Sequence, residues 1–224
     1  MIAFEAKSVR KEYDTLVALK DVSLSVKEGE LVALVGHNGS GKSTLLRLAA
    51  GLLELTSGEL LIDGSPAGSL DARAALSFLA DEPVLYDDLS VDEHCEYVAM
   101  LHSSPPEWPE KAVGIVQELG LAERVGDLPS KFSRGLRQKT AILLALIRPF
   151  TVLAVDEPFV GLDLSGQKAM LDLLTGASEA GAAVIVSTHQ MEFLDRATRV
   201  VILRDGAVVQ DGKVNREEVL KNLG

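Results

Sequence analysis

Residues 31 to 50 read LVALVGHNGSGKSTLLRLAA, and this stretch decides the fold. It opens with five consecutive apolar residues, Leu31 to Val35, a short run that predicts a strand buried on both faces of a sheet. A glycine-rich loop follows, and then a helical pattern from about Lys42 to Ala50 that ends at Gly51. A buried strand that leads through such a loop into a helix indicates an α/β fold.

The loop carries the pattern G-x-x-x-x-G-K-[ST], which ends at Ser43. Its glycines allow consecutive backbone N–H groups to turn inward onto phosphate oxygens, where the start of the helix adds positive potential. Lys42 is predicted to reach the β- and γ-phosphates, and the Ser43 hydroxyl is predicted to bind Mg²⁺. His37 stands at an unspecified position of the pattern and is given no catalytic role. The residues predicted to bind the nucleotide here are Gly36, His37, Asn38, Gly39, Ser40, Gly41, Lys42, Ser43 and Thr44.

Strand patterns flank this stretch on both sides. Upstream, apolar and polar residues alternate in 2–4 and 22–26, which predicts antiparallel strands joined by a turn at Tyr13-Asp14. Downstream, the apolar runs Val152 to Val155 and Ala183 to Ser187 predict two more buried strands. Strands that alternate with helices favour a mostly parallel sheet covered on both sides. The predicted fold class is therefore α/β, with an antiparallel β subdomain at the N-terminus.

The middle of the chain has helical periods instead. From about residue 90 to residue 149 the pattern is helical, and prolines such as Pro105 and Pro129 break it into pieces. Because strands resume afterwards, we interpret 90–149 as a helical lobe inserted into a sheet core formed by 1–89 and 150–224, within a single domain. The charge-rich residues 215–221 predict a solvated helix.

Composition excludes several classes of protein. A chain of 224 residues with 47% apolar and 25% charged residues is typical of one globular domain, and a single cysteine rules out an intrachain disulfide. The longest run without charge covers about a dozen residues, 180–191, whereas a spanning helix needs about 20. The net charge of −11 disfavours binding to nucleic acid. We therefore expect a chain that does not cross a membrane by itself and that has no nucleic-acid partner.

Two carboxylates follow the second buried strand. Asp156 and Glu157 come directly after Val152 to Val155. An acid at the carboxyl end of a strand beside a phosphate-binding loop can hold Mg²⁺ through water. Asp156 is the predicted metal residue, and Glu157 is predicted to polarise an attacking water.

Four further segments fall into a recognisable order. They are Tyr13, then Phe132 to Gln138 (FSRGLRQ), then Pro158 to Asp163 with Gly161-Leu162-Asp163, and finally Ser187-Thr188-His189 after a strand. With the loop and the Asp-Glu pair, they make the chain resemble the ATP-binding subunit of ABC transporters over nearly its whole length. Phe132 to Gln138 is similar to the signature segment of that family, whose commonest form is L-S-G-G-Q. The resemblance implies a P-loop NTPase core.

The resemblance also implies roles for single residues. Tyr13 would stack on adenine, Glu157 would act as general base, and His189 would contact the γ-phosphate and orient the water. Ser133 and Gly135 would contact the nucleotide bound to the opposite subunit. The implied activity is hydrolysis of ATP, with Mg²⁺ as cofactor, in a dimer that ATP closes and hydrolysis opens.

The implied partners are a separate transmembrane permease and a second ATPase subunit, which could be a copy of this chain or a paralogue. The implied location is peripheral, on the cytoplasmic face of the cell membrane. The permease would dock in a groove between the sheet core and the helical lobe, near residues 81–86. The cargo does not follow from this sequence, because in this family the transmembrane partner forms the path.

Two departures from the family pattern stand out. In the signature segment, Arg134 replaces the first glycine and Leu136 replaces the glutamine. This variant resembles the segment in exporters, so we expect export, with import as the alternative. The second departure is Asp81, which stands where the family has a glutamine. Asp81 is a candidate Mg²⁺ ligand, unless the alignment is shifted and Glu82 is the relevant residue.

Two functions outside transport are less compatible with the sequence. Soluble ABC ATPases that act on DNA or ribosomes usually carry a long coiled-coil insertion or two fused cassettes, and 224 residues hold neither. A small-molecule kinase would share the phosphate-binding loop but would lack the segments at 132–138 and 187–189.

Overall fold

The computed structural model of the protein describes residues Met1 to Lys213. The helix predicted at 215–221 lies outside these residues. The elements in chain order are β1 (Ile2–Tyr13), β2 (Leu16–Lys27), β3 (Leu31–Val35), α1 (Lys42–Ala49), β4 (Ser57–Ile62), β5 (Ser65–Pro66), α2 (Leu70–Ala75), β6 (Leu76–Leu79), α3 (Val91–Leu101), α4 (Trp108–Glu118), α5 (Arg134–Ile147), β7 (Val152–Asp156), α6 (Leu164–Glu179), β8 (Ala183–Ser187), α7 (Met191–Arg196), β9 (Arg199–Arg204) and β10 (Ala207–Gly212).

The larger sheet has the strand order β10-β9-β3-β8-β7-β6. Its neighbours β9-β3, β3-β8, β8-β7 and β7-β6 are parallel, whereas β10 pairs with β9 in the antiparallel direction. Every residue of β3, β7 and β8 is buried, as their uninterrupted apolar runs predict. The expected mostly parallel α/β sheet is confirmed.

The smaller sheet is antiparallel, with the order β2-β1-β4-β5. Its first two strands form a hairpin in which Tyr13 pairs with Leu16, so the predicted turn at Tyr13-Asp14 is confirmed. Alternate residues of these strands point into the interior, among them Phe4, Leu24 and Val26. The alternation of apolar and polar residues in the sequence therefore corresponds to one buried and one exposed face of these strands.

The larger sheet separates two apolar cores. In β3, Leu31, Ala33 and Val35 pack on the side of the helices α3 to α6, whereas Val32 and Leu34 pack on the side of α1 and the smaller sheet. Each fully buried Val or Leu stabilises the fold by about 1.5–3 kcal/mol. Because the central strands supply both cores, they hold their carboxyl ends, where polar side chains emerge, in fixed positions.

The helices α3, α4 and α5 lie within the stretch whose sequence is helical. Pro105 falls between α3 and α4, and Pro109 is in the first turn of α4, where a missing backbone N–H costs nothing. The N-terminus of α3 has a capping box formed by Ser90 and Glu93. The prolines therefore separate and start helices rather than interrupt them.

The strand β6 and the helix α6 are not apparent from the sequence patterns. The four-residue strand β6 pairs in parallel with β7, with Leu79 opposite Val155, and it carries the chain to Asp81. The helix α6 buries Met170, Leu171 and Leu174, and its N-cap is Asp163, whose side chain accepts a hydrogen bond from the Gly166 N–H at 3.0 Å. Among the described residues, no helix is long and apolar enough to cross a membrane.

Candidate functional site

The glycine-rich loop connects the carboxyl end of β3 to the first turn of α1, as the sequence predicts. Its shape requires glycine at Gly41, where φ is +105° and a Cβ atom would lie 2.8 Å from the Ala18 carbonyl oxygen and 2.6 Å from Leu19 Cδ2. The loop is braced from behind, because the Gly206 N–H donates to the Ser40 carbonyl at 3.1 Å. The loop is thus a preformed part of the fold.

Lys42 lies inside this loop. Its side chain is buried, and Nζ donates to the carbonyl oxygens of Gly36 at 2.6 Å and His37 at 3.4 Å. Burial lowers the pKa of Lys42, and the negative charges of Glu157 and Asp156 act against that shift. A buried cation held only by carbonyl oxygens is well suited to bind an anion that enters the loop.

The side chain of Ser40 also fits a phosphate bound in the loop. It is fully buried, and its Oγ has no hydrogen-bond partner among residues 1 to 213. Buried hydroxyl groups are nearly always paired in folded proteins. A phosphate oxygen in the loop would supply the partner, so the residues here fit the predicted nucleotide.

The second part of the site is the end of β7. Asp156 is almost fully buried and accepts a short hydrogen bond from Ser187 Oγ, since Asp156 and Ser187 face each other across β7 and β8. The next residue, Glu157, has φ of +47° and donates its backbone N–H to the Ser187 carbonyl oxygen at 3.0 Å. A left-handed backbone at a residue other than glycine is strained, and such strain persists only where the surroundings impose it.

Glu157 is electrostatically unusual. Burial raises the pKa of its carboxyl group to about 7; the positive charge of Lys42 acts against this rise, and the negative charges of Asp156 and Asp81 add to it. This carboxyl group therefore titrates near neutral pH, where its ionised form can accept a proton and its protonated form can donate one.

His189 completes this cluster. Its Nε2 lies 3.3 Å from Glu157 Oε1, after a turn in which Thr188 Oγ1 accepts a hydrogen bond from the Gln190 N–H at 3.0 Å. Burial lowers the pKa of His189, and the positive charge of Lys42 lowers it further. The structure thus brings together Lys42, Asp156, Glu157 and His189, which lie far apart in the sequence.

Oxygen ligands for a cation are also available. The Ser43 hydroxyl stands in the first turn of α1, and the Asp156 carboxylate ends β7. Between Met1 and Lys213, no group of three or more His, Cys, Asp or Glu side chains is placed to hold a metal ion. This donor set fits Mg²⁺, which commonly takes one or two protein oxygens and completes its shell with phosphate and water.

Tyr13 lies at the tip of the first hairpin. The ring is exposed, and Lys11 Nζ stands 4.8 Å from its centroid. The hairpin carries it towards the loop, because Ala18, two residues beyond the partner of Tyr13 in β2, contacts the position of Gly41. An exposed ring beside the loop is compatible with stacking on a base.

Ser133 and Gly135 lie at the start of α5, on the helical side of the molecule. Ser133 caps the helix by accepting a hydrogen bond from the Leu136 N–H at 3.3 Å, and its side chain is exposed. Gly135 is buried, and a Cβ atom there would lie 2.4 Å from the Gly161 carbonyl oxygen. An exposed hydroxyl at a helix N-terminus is accessible to an anion from outside the chain.

Asp81 differs most from expectation. It follows β6, and its Oδ1 accepts a hydrogen bond from Arg134 Nη2 at 2.6 Å. Its contact in this structure is therefore a cation of the helical region and not a group of the phosphate-binding loop. Glu82 lies on the rim of a neighbouring groove, exposed to solvent.

That groove lies between the sheet and the helices and has a volume of about 320 Å³. Val84, in its lining, is 95% exposed, and Tyr86, two residues further along the chain, is 55% exposed. We call this the docking groove; its apolar lining includes Leu52, Phe78, Leu79, Pro83, Val84 and Leu144.

Two supporting contacts were not predicted from the sequence. Ser187 belongs to the segment predicted around His189, but its hydrogen bond to Asp156 depends on the pairing of β7 with β8. The Asp205-Gly206 pair is typical of a turn, but no local signal shows that Gly206 supports a loop more than 160 residues away.

Comparison with known proteins identifies relatives of this site and fold. The family described as ABC transporter matches residues 19–160. The SkfA peptide export ATP-binding protein SkfE of Bacillus subtilis is 32% identical over 234 residues, covering 100% of this chain and 98% of that protein. The macrolide export ATP-binding/permease protein MacB of Hyphomonas neptunium is 36% identical over 219 residues, and the match covers 92% of this chain but 34% of MacB.

Solved structures agree with these relatives. An ATP-binding subunit of an ABC transporter superimposes with a TM-score of 0.88 at 32% identity, covering 94% of this chain and 89% of that one. A dimeric cassette in a post-hydrolysis state with ADP and Pi superimposes with a TM-score of 0.84 at 27% identity, covering 95% and 99%.

Proposed function

The chain belongs to the ABC transporter family as an ATP-binding subunit, and we propose that it hydrolyses ATP to drive export through a separate transmembrane permease. The observation that carries this proposal is the Glu157–His189 pair beside Lys42. A carboxylate, an imidazole and a buried ammonium around one loop are the groups that hydrolysis of a phosphoanhydride requires.

Binding begins at the glycine-rich loop. Its N–H groups and the start of α1 would receive the phosphates, and Lys42 would exchange its carbonyl contacts for phosphate oxygens. The Ser40 hydroxyl, which has no hydrogen-bond partner within residues 1 to 213, would bond to a phosphate oxygen. Ser43 and Asp156 would hold Mg²⁺, which neutralises charge that develops on the phosphates. The exposed ring of Tyr13 would stack on the adenine.

Hydrolysis depends on the carboxyl end of β7. Glu157 would accept the proton of the attacking water, a role that its pKa of about 7 favours at neutral pH. His189, 3.3 Å away, would orient that water and the γ-phosphate. Because burial lowers the pKa of His189, the neutral imidazole can donate at one nitrogen and accept at the other.

A second subunit would complete the site. Ser133 is exposed at the N-terminus of α5, where it can contact the γ-phosphate held by another chain, and Gly135 keeps the helix close to Gly161. The dimeric state of a structural neighbour supports this arrangement. Two copies of this chain carry all the required groups, and a paralogue could replace one copy.

The permease would bind at the docking groove on the cytoplasmic face of the membrane, with this chain as a peripheral subunit. SkfE is named for peptide export and MacB for macrolide export, and both support export as the direction of transport. MacB carries ATP-binding and permease functions in one protein, of which this chain matches about a third. A separate permease would supply the remainder here.

The proposal is tested with purified protein and a membrane preparation from its host. We expect Mg²⁺-dependent release of phosphate from ATP, abolished in Glu157→Gln and unchanged in the control Glu123→Gln, which alters an exposed carboxylate of the helical region. We also expect a polytopic membrane protein to co-purify in stoichiometric amount. Recovery of the chain without any membrane protein would contradict the transport function and leave the ATPase assignment intact.

A further inference from the structure

Two of the three residues that depart from the family pattern, Asp81 and Arg134, contact each other. Arg134 replaces a glycine and Asp81 stands where a glutamine is usual, and these two residues, 53 positions apart, form an ion pair with Arg134 Nη2 at 2.6 Å from Asp81 Oδ1. Neither a glycine nor a glutamine could form such a pair. The two departures are thus one structural feature.

The position of Arg134 is unfavourable by local rules. It is the first residue of α5, and Arg137 follows one turn later on the same face, while no acidic residue occupies that turn. Cations at a helix N-terminus oppose the helix dipole. Both arginines instead face the acidic segment after β6, since Arg137 Nη2 lies 4.0 Å from Asp87 Oδ1.

The arginine also links three parts of the site. A Cβ atom placed on Gly161 would lie 3.5 Å from Cβ, Cγ and Cδ of Arg134, so the arginine stem lies against the segment that follows Glu157. Its guanidinium contacts Asp81, whose negative charge contributes to the raised pKa of Glu157. The side chain therefore runs from the start of α5, past Gly161, to the strand end next to β7.

We propose that Arg134 is a positioning residue whose ion pair with Asp81 fixes the start of α5, and with it Ser133 and Gly135, relative to the carboxyl edge of the sheet. This inference rests on the proposed function, in which Ser133 and Gly135 act on the nucleotide of the opposite subunit. Asp81 acts through Arg134 in this arrangement, not as a ligand of Mg²⁺.

A double-mutant cycle tests the pair in the full-length protein. The variants are Asp81→Asn, Arg134→Gln and the double substitution, with kcat, KM for ATP and ATP affinity measured for each. Because the pair is about half exposed, we expect each single variant to lower kcat about two- to fivefold while KM stays within about twofold, and the double variant to be no worse than either single.

A matched control is present in the same helical region. Arg124 and Asp127 form an exposed ion pair at 2.9 Å, away from the strand ends. Arg124→Gln and Asp127→Asn remove equivalent chemistry and are expected to leave kcat and KM unchanged. The reversed pair, Asp81→Arg with Arg134→Asp, should recover kcat relative to either reversal alone.

Several results would overturn the proposal. Additive losses in the double variant would mean that the two residues act separately. If Asp81→Asn lowers ATP affinity tenfold, and lowers it equally in a chain that already carries Arg134→Gln, Asp81 is a direct Mg²⁺ ligand.

A readout that needs no ATP separates this inference from the proposed function. Hydrogen exchange of residues 133–138 should accelerate in both single variants and no further in the double. If hydrogen exchange is unchanged in Asp81→Asn, the proposed positioning role of the ion pair is contradicted. If the unmodified chain does not hydrolyse ATP, only the proposed function is contradicted.

Discussion

The phosphate-binding loop and the start of α5 are built in opposite ways. The loop lies on fully buried strands, and its glycines fit against β2 and the Gly206 turn through backbone contacts. The start of α5 is exposed and is held by a cap, by the close approach of Gly135 to Gly161, and by the Asp81–Arg134 ion pair. The first region is held rigidly by backbone packing, and the second is fixed by weak contacts.

This difference indicates that the two regions have different roles. A rigid loop can hold a triphosphate without rearrangement, which keeps the catalytic groups in place. A weakly held helix start can adjust when a second subunit and its nucleotide approach. Substitutions in the rigid region are therefore expected to have larger effects than substitutions in the adjustable one.

The largest effect is expected from Glu157→Gln, which removes the proton acceptor while preserving size. General base catalysis contributes about 100- to 10,000-fold, so we expect kcat to fall by that amount with ATP binding retained. The variant should also accumulate as an ATP-bound dimer, since the step that opens the pair is blocked. Steady-state hydrolysis and sedimentation measure both, with Glu123→Gln as control. Unchanged turnover would remove Glu157 as the base.

Gly41→Ala tests whether the loop is as rigid as its contacts indicate. A Cβ atom there would meet Ala18 O at 2.8 Å, at a φ of +105°. We expect the free energy of unfolding to decrease by about 1–3 kcal/mol and ATP affinity to fall by about tenfold or more, which corresponds to about 1.4 kcal/mol.

The control for that variant is Gly176→Ala in α6, where φ is not positive and nothing lies within 4 Å of the added atom. It should raise the unfolding free energy by about 0.5–1 kcal/mol, because alanine favours a helix, and should leave ATP affinity unchanged. Equal effects of the two substitutions on ATP affinity would mean that the loop is not rigid.

Ser133→Ala probes the adjustable region. Loss of the cap should cost about 1 kcal/mol of stability, and loss of a hydroxyl that contacts a charged phosphate should lower kcat about tenfold. Ser69→Ala is matched, because Ser69 caps α2 through the Ala72 N–H at 3.3 Å, the same distance as in the Ser133 cap. Ser69→Ala should lower the free energy of unfolding by a similar amount and leave kcat unchanged. If both variants lose kcat to a similar extent, Ser133 serves only as a helix cap.

Val84→Asp should have the smallest effect on the isolated chain. Because Val84 is 95% exposed in the docking groove, the free energy of unfolding should stay nearly the same. The kcat for ATP hydrolysis should change by no more than about twofold. Recovery of the permease with the chain should drop sharply. Leu70→Asp, at a residue 83% exposed on α2, is the control and should leave recovery unchanged. Normal recovery with Val84→Asp would place the permease contact elsewhere.

The sequence predicts the rigid region better than the adjustable one. The loop, the buried strand Val152 to Val155 and the Asp156-Glu157 pair follow from local patterns, because a parallel sheet brings strand ends to one edge. The strand β6 has the polar Ser77 within its apolar residues, so it forms no uninterrupted apolar run, and the Asp81–Arg134 contact joins residues 53 positions apart. Periodicity cannot reveal an ion pair that only tertiary packing creates.

The central claim is that each ATP site combines Lys42 of one subunit with Ser133 of the other. Mixing the inactive Lys42→Ala chain with the weakened Ser133→Ala chain tests it directly. A mixed dimer has one site with both residues intact, and random pairing makes half of the dimers mixed. In a symmetric dimer with independent sites, we therefore predict that about a quarter of unmodified activity returns. Activity no higher than the average of the two separate variants would contradict a shared site.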